Sequence, residues 1–387
     1  MSDRTSYRRR TNRFAASFLA TAVATALLAG LAPAASADTA RTTLGSDLQA
    51  LVDTGAVSAL GEVRQDGHTR WRGSAGTADL ATGAPVPARA RFRIASVTKT
   101  FVATVLLQLV GEGRVQLDAP VEEYLPGEVP NGSQITVREL LTHTSGLYNY
   151  DDDPRYGLTD EASVETWLAT GRWQTHRAAD LVGAAFTHPP SFEPGRGWQY
   201  SNTGYLLLGM VIERVTGHSW QDEVTGRIIR PLGLHATIMP TTSPDLPGPH
   251  IDGYLNTAAG PADNTRFSPS IAGAAGAGIS DAGDLSRFTA ALLGGHLLRP
   301  AELAAMEQVT DTADGLHYGL GLERFDTPCG PFWGHNGSGR GYADIAASSP
   351  DGRRQFTLAL TPYEKGTQAE FGKAVQQAID DAGCATH

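Results

Sequence analysis

Ser96-Val97-Thr98-Lys99 stands at the head of the apolar run Phe101-Val102-Ala103-Thr104-Val105-Leu106-Leu107. Residues three apart share a helix face, so this spacing sets a hydroxyl beside an amine. A serine hydroxyl is inert at neutral pH until a neighbour takes its proton. A lysine takes it only when burial or nearby cations hold its pKa down. The run after Lys99 is apolar on nearly every side, which predicts a buried helix with both groups at its dry N-terminal end, where the macrodipole favours developing negative charge. Alone, the pair also fits an N-cap serine beside a solvated lysine.

Two further segments bear on that choice. Tyr200-Ser201-Asn202 precedes the helical run Thr203 to Ile212 and supplies a phenol and a carboxamide at a helix entry. His335-Asn336-Gly337 follows the strand-like Pro331-Phe332-Trp333 and leads into Ser338-Gly339-Arg340-Gly341. Taken singly, Tyr200 reads as a half-buried core tyrosine and Asn202 as a helix cap. Taken in order, Ser-x-x-Lys, Tyr-x-Asn and His-x-Gly form a far more specific constellation.

With these motifs the chain resembles the penicillin-recognising serine hydrolases, above all the secreted actinomycete DD-carboxypeptidases, with class C β-lactamases and their esterase relatives further off. The likeness extends to Phe92-Arg93-Ile94-Ala95, Leu140 to Leu147, Pro194-Gly195 and Tyr318-Gly319-Leu320-Gly321-Leu322, so it covers nearly all of the chain after the leader. It implies Ser96 as nucleophile through an acyl-enzyme, with Lys99 as first base. Tyr200 would carry the proton to the leaving amine; which of Lys99 and Tyr200 acts at each step is left open. Asn202 would hold a substrate carbonyl and orient Lys99, and His335 would tune the tyrosine by hydrogen bonding. The backbone amides of Ser96 and Ser338 would form the oxyanion hole, with Gly337 letting the strand approach the substrate. His143 reads as a hydrogen-bonded structural histidine rather than a catalyst.

The chain also departs from its relatives. Where the closest DD-carboxypeptidases carry an arginine for the substrate carboxylate, shortly after Tyr-Gly-x-Gly-Leu, it has Glu323, with Arg324 next to it. Strand alternation sends those two to opposite faces. Either Glu323 selects a substrate with a free amine or an uncharged end, or it points to solvent or pairs with Arg324; Arg340 could replace the lost cation. Asn336 stands where threonine is common.

These groups need elements to hold them. Leu44 to Asp53 has helical spacing, and Ala56–Arg64 and Thr69–Gly76 alternate around the hairpin turn Asp66-Gly67. Late in the chain, Tyr318–Phe325, Gly330–Gly334, Gly341–Ser348 and Gln355–Leu360 read as strands, before a helix from about Thr367 to Ala382. The expected class is α+β: one antiparallel sheet built from both ends (38–110 and 270–387), flanked by the N- and C-terminal helices, with a mainly helical lobe inserted at 111–269. The site would lie in the cleft between the lobes.

The first residues read as an export signal. Arg8, Arg9, Arg10 and Arg13 precede an apolar stretch from Phe14 to Leu31, and Ala35-Ser36-Ala37 is a cleavage site. A secreted protein is expected, without a stable membrane anchor once 1–37 are removed. The remainder holds 26 basic and 40 acidic residues, a formal net charge of −14 (31 − 5 and 41 − 1), which argues against nucleic acid as a partner. Cys329 and Cys384 are an even pair in an exported chain, so a disulfide is expected, with two free thiols as the alternative. No cofactor is expected: His-x-His and His-Glu-x-x-His are absent, and Asp151-Asp152-Asp153 reads as three solvated acids rather than a calcium site.

The function expected is an exported serine hydrolase of D-amino-acid peptides, first a D-alanyl-D-alanine carboxypeptidase acting as a monomer on peptidoglycan stem peptides. β-Lactams would be acylating inhibitors or substrates. A D-stereospecific amidohydrolase or aminopeptidase, or a β-lactamase or esterase of the same fold, comes next. A non-catalytic penicillin- or peptidoglycan-binding module is the alternative from another class.

Overall fold

The computed structural model describes residues 37–312, 315–362 and 367–385, excepting the side chains of 37–41 and 311. Most of the expected leader therefore lies outside the described residues. The described part opens with α1 (Ala37–Thr54) and the hairpin β1 (Ala56–Gln65) and β2 (His68–Asp79). Asp66 and Gly67 turn it at φ 52° and 78°, the conformation for which Asp-Gly is suited. Short strands β3 (Ala84–Pro85) and β4 (Phe92–Arg93) lead to α2 (Thr98–Gly111).

Residues 112–278 carry helices α3 (Val137–Leu141), α4 (Glu161–Ala169), α5 (Ala178–Ala185), α6 (Asn202–Thr216), α7 (Trp220–Val224) and α8 (Arg230–Leu232), with a small hairpin of β5 (Tyr254–Thr257) and β6 (Gly260–Asp263). The chain then returns through β7 (Ile279–Ser280), α9 (Ala282–Leu293), α10 (Pro300–Met306), β8 (Thr310–Asp311), β9 (His317–Tyr318), β10 (Glu323–Thr327), β11 (Gly330–Gly339), β12 (Tyr342–Ser348) and β13 (Arg354–Pro362). It ends in α11 (Gln368–Cys384).

Nine strands form one antiparallel sheet in the order β3-β2-β1-β13-β12-β11-β10-β9-β8. The pairing of β1 with β13, Leu60 opposite Ala359, joins segments from the two ends of the chain. On one face Leu44, Leu48 and Leu51 of α1 and Val375 and Ile379 of α11 pack on Phe332, Phe356 and Leu358. The other face carries the larger core, in which α2 is buried along nearly its whole length. A helix apolar on every side has no face to give to water, so the fold closes around it. Cys329, in the β10–β11 turn, is disulfide-bonded to Cys384 at the end of α11, with 5.1 Å between Cα atoms.

Three expected boundaries differ. The segment Tyr318–Phe325 is two strands, because the chain folds back at Gly321 (φ 72°) and a Cβ at Gly319 would meet Met306 O at 2.2 Å. Strand β11 does not stop at Gly334 but runs to Gly339, carrying His335 and Gly337 within it. Ser96 lies not in the helix but in a single 3₁₀ turn, Ala95–Val97, leading into α2, with Ala95 at φ 38°.

Candidate active site

Lys99 is fully buried in the first turn of α2. Its Nζ lies 2.9 Å from Ser96 Oγ, 2.7 Å from Asn202 Oδ1 and 2.7 Å from the carbonyl oxygen of Ala275. A neutral amine has two hydrogens and one lone pair. Asn202 and Ala275 take the hydrogens, so the lone pair is left for the Ser96 proton. Burial lowers the Lys99 pKa to about 7, against the opposing pull of Asp151 and Glu323, so a large fraction of this amine is neutral at neutral pH. The arrangement can deprotonate a serine.

Asn202 reaches Lys99 because the entry of α6 is capped by other groups. Its backbone N–H donates to Asn149 Oδ1 at 3.0 Å, and that of Ser201 donates to His143 Nδ1 at 3.1 Å. Ser201 itself supplies no capping side chain, and the Asn202 amide is spared that duty. His143, at φ 62°, is buried and neutral, its proton on Nε2, and its ring lies 4.2 Å from that of Tyr200. The Ser201 bond to Nδ1 is a hydrogen bond of the kind expected of it.

Tyr200 is half-buried and hydrogen-bonded to Ser96. Burial holds its phenol well above the ordinary pKa of 10, and the Ser96 bond opposes this only in part. Tyr200 therefore keeps its proton at neutral pH and can give it to a leaving group. The Lys99 ammonium faces the rings of Tyr200 and Tyr205 at 4.8 and 5.4 Å.

His335 does not bond to Tyr200 as expected. Its Nε2 is 2.9 Å from the hydroxyl of Tyr318, and its ring centroid is 6.5 Å from that of Tyr200. Nδ1 donates to the carbonyl of Asn336, so Nε2 accepts and Tyr318 donates. Burial first, then the Lys99 charge, pushes the imidazole down to about 3, so it stays neutral. Register explains the miss: β9 sets Tyr318 opposite Glu323, and β10 sets Glu323 opposite Gly334, one residue before His335.

Glu323 neither points to solvent nor pairs with Arg324. It is buried, its Oε1 3.6 Å from His335 Nδ1, while Arg324 turns outward to Asp326 at 3.0 Å. Arg340 does not stand in for a free cation. It donates to Asp151 Oδ1 at 3.2 Å and Tyr156 O at 2.9 Å and lies 4.0 Å above the Trp167 ring, tying the β11–β12 turn to the helical part. The Asp151–Asp153 run is not three solvated acids: Asp151 holds Arg340, and Asp153 is buried against Arg155 and His188, both oxygens engaged. Among the described residues no three His, Cys, Asp or Glu side chains gather as metal ligands.

Gly337 fits only without a side chain, since a Cβ would meet Ile94 O at 2.5 Å and Asp344 Oδ2 at 2.6 Å. Beyond Gly334 no described strand pairs with the other side of β11, so His335–Gly339 present an edge, and the turn carrying Ser96 packs against β11. Ser338 lies on that edge next to Gly337, opposite Ala343 of β12. Sequence reading passed over Tyr318, Asp151 and Ala275 as site groups. The Tyr-Gly-x-Gly-Leu motif assigns its tyrosine no role, an acidic run reads as solvated acids before anything else, and a carbonyl has no residue signature.

The "Beta-lactamase" family model matches residues 46–365. Esterase EstB of Burkholderia gladioli is 36% identical over 191 residues, 48% of each chain. Penicillin-binding protein 4 of Amycolatopsis lactamdurans is 30% identical over 69% of this chain and 71% of its own. The crystal structure of a D-stereospecific amidohydrolase from Streptomyces sp. superposes with a TM-score of 0.77 at 38% identity, covering 86% of this chain and 98% of that one. With this fold and the Ser96–Lys99 pair at the head of α2, the chain belongs to the β-lactamase family of penicillin-recognising serine hydrolases.

Proposed function

We propose that this protein is an exported D-stereospecific amidohydrolase that cleaves D-aminoacyl amides and peptides bearing a free α-amine. One observation carries this reading: a buried carboxylate, Glu323, stands in the site where a cation would be needed to hold a substrate carboxylate, and both neighbouring arginines are engaged elsewhere. An ammonium group or an uncharged amide end suits a negative site; a carboxylate does not. The likeness to the Streptomyces D-stereospecific amidohydrolase supports the same reading.

In the reaction proposed, the substrate lies along the edge of β11. Lys99 takes the Ser96 proton as Oγ attacks the carbonyl carbon, and the N–H groups of Ser96 and Ser338 receive the oxyanion. The tetrahedral intermediate collapses with cleavage of the C–N bond, and Tyr200 gives its proton to the leaving amine, to be re-protonated through Lys99. Water then attacks the acyl-enzyme, gives its proton to the same pair, and releases the D-amino acid and Ser96 Oγ–H.

The test is turnover of D-phenylalanine amide, its N-acetyl derivative, the L-enantiomer and an acetylated D-Ala-D-Ala peptide by wild type and Glu323→Arg. The free D-amide is the expected substrate. Acetylation is expected to lower kcat/KM at least roughly tenfold, the loss of one ion pair, and Glu323→Arg to shift preference towards the carboxylate-ended peptide. Release of D-Ala by wild type, with indifference to acetylation, overturns the proposal in favour of a D-alanyl-D-alanine carboxypeptidase.

A further inference from the structure

Asp344 is the most anomalous side chain near the site that the chemistry above leaves unused. It sits in the middle of β12, opposite Gly337, and is only 6% exposed. Both carboxylate oxygens are buried with no hydrogen-bond partner. An ionised, unpartnered carboxylate in such a place is very costly, so the group must either find a donor or be neutral.

An acceptor borders the same space. The position a Cβ of Gly337 would occupy is 2.6 and 2.9 Å from the two Asp344 oxygens and 2.5 Å from the carbonyl oxygen of Ile94. The carboxyl and the Ile94 carbonyl thus converge beside the Gly337 backbone from opposite partners, β12 and the nucleophile turn. The Ile94 oxygen accepts one bond, from Val97 N–H at 2.9 Å, and keeps a second lone pair. Two acceptors that border the same Cβ-sized space repel unless a proton is shared between them.

The turn has reason to be held. Ala95, between Ile94 and Ser96, is at φ 38°, a left-handed conformation costly for a residue with a Cβ. Such backbone persists only where the surroundings over-determine it. The Ser96 N–H and the Ser96 hydroxyl both hang on this residue, so a contact at Ile94 bears on where the nucleophile and the oxyanion donor sit.

We propose that Asp344 is a protonated positioning acid: its carboxyl O–H donates to the Ile94 carbonyl and ties the Ser96 turn to the sheet strand that bears Gly337 and Ser338. Burial supports the neutral form, holding the carboxyl well above its ordinary range. The charged and titratable groups on the elements packed around β12 are His335 on β11, Lys99 beyond the nucleophile turn, the Asp284–Arg287 pair on α9 and Arg354 on β13. Burial alone holds the Asp344 carboxyl up. The role rests on Ser96 as the nucleophile but not on which amide or ester is turned over.

The test compares wild type, Asp344→Asn and Asp344→Leu. Infrared difference spectra of wild type against Asp344→Asn are expected to contain the C=O stretch of a protonated carboxylic acid, persisting at neutral pH. A raised acid pKa means the folded state binds the extra proton, so wild-type stability falls as pH rises above the unfolded value; the melting temperature of Asp344→Asn relative to wild type is expected to climb over that window. Asp344→Leu, of similar size and without a donor, is expected to fold and melt at or above wild type, yet to lose at least tenfold in kcat with little change in KM. Asp344→Asn, whose amide can donate to Ile94, is expected to recover most of that loss. A carboxylate rather than an acid band overturns the proposal, as does an Asp344→Leu enzyme with wild-type kcat. The infrared and melting readouts need no substrate, so failure of the substrate assignment leaves them standing.

Discussion

The Glu323 carboxylate lies 3.6 Å from His335 Nδ1, yet that N–H is already given to the Asn336 carbonyl. Burial keeps that imidazole neutral, and Glu323 exerts its electrostatic pull on another titratable group of the site, Lys99. Glu323 and Asp151 both favour the ammonium form. Glu323→Gln and Asp151→Asn are each expected to lower the Lys99 pKa below about 7, moving the acid limb of the kcat/KM profile to lower pH. A pH–rate series on each variant checks this; an acid limb that stays put or climbs contradicts the electrostatic assignment.

In the proposed reaction Lys99 is the base and Asn202 its holder, so their losses are expected to differ in size. Lys99→Met removes the proton acceptor and is expected to cost roughly three orders of magnitude in kcat/KM, within the usual range for general base catalysis. Asn202→Ala leaves the amine in place but frees one of its hydrogens, at a cost of about 10- to 100-fold. Acylation of Ser96 by a penicillin, followed by intact mass, reads the same order without a known substrate. Equal losses would mean that Asn202 does more than orient Lys99.

Gly337→Ala would place its Cβ 2.5 Å from the Ile94 carbonyl oxygen and 2.6 Å from Asp344 Oδ2, so either strand or nucleophile turn must shift. A displacement of about 1 Å in a site of this kind costs on the order of 100-fold in rate. The expected outcome is a folded protein, by circular dichroism, with at least that loss in kcat. Wild-type activity would show that the turn is free to move away.

The Cys329–Cys384 bond closes a loop of 55 residues and fastens α11 to the β10–β11 turn. Loop-closure entropy puts its loss at about 4 kcal/mol of stability. Denaturant melts of Cys384→Ala against wild type check the magnitude. Because α11 packs on the face of the sheet opposite α2, the folded fraction is expected to keep its kcat. A proportionate fall in kcat would mean that α11 reaches the cleft.

Much of the fold could be read from local patterns. The Asp66-Gly67 hairpin, the all-apolar α2 and the late run of short strands each carry their own signal, because turn chemistry and hydrophobic period act over a few residues. The break at Gly321 and the length of β11 could not, since both depend on which strand lies alongside. The same division holds in the site. Ser96, Lys99, Tyr200 and Asn202 were legible as residue types at known spacing. That His335 would choose Tyr318 over Tyr200 was not, because it follows from the register of β9, β10 and β11.

The sequence by itself determined the chemical inventory: a serine three residues before a lysine, a Tyr-x-Asn, a His-x-Gly, and an acid directly after Tyr-Gly-x-Gly-Leu. It also determined that α2 would be buried, because a helix without a polar face has nowhere else to go. Only the tertiary structure decided how those groups are charged and partnered. Burial lowered the Lys99 pKa and kept His335 and Tyr200 neutral, and the packing of the β11–β12 turn on the helical part set Arg340 against Asp151. The reason is physical: a side chain's type travels with the chain, but its pKa and its hydrogen bonds belong to the residues that distant segments bring beside it.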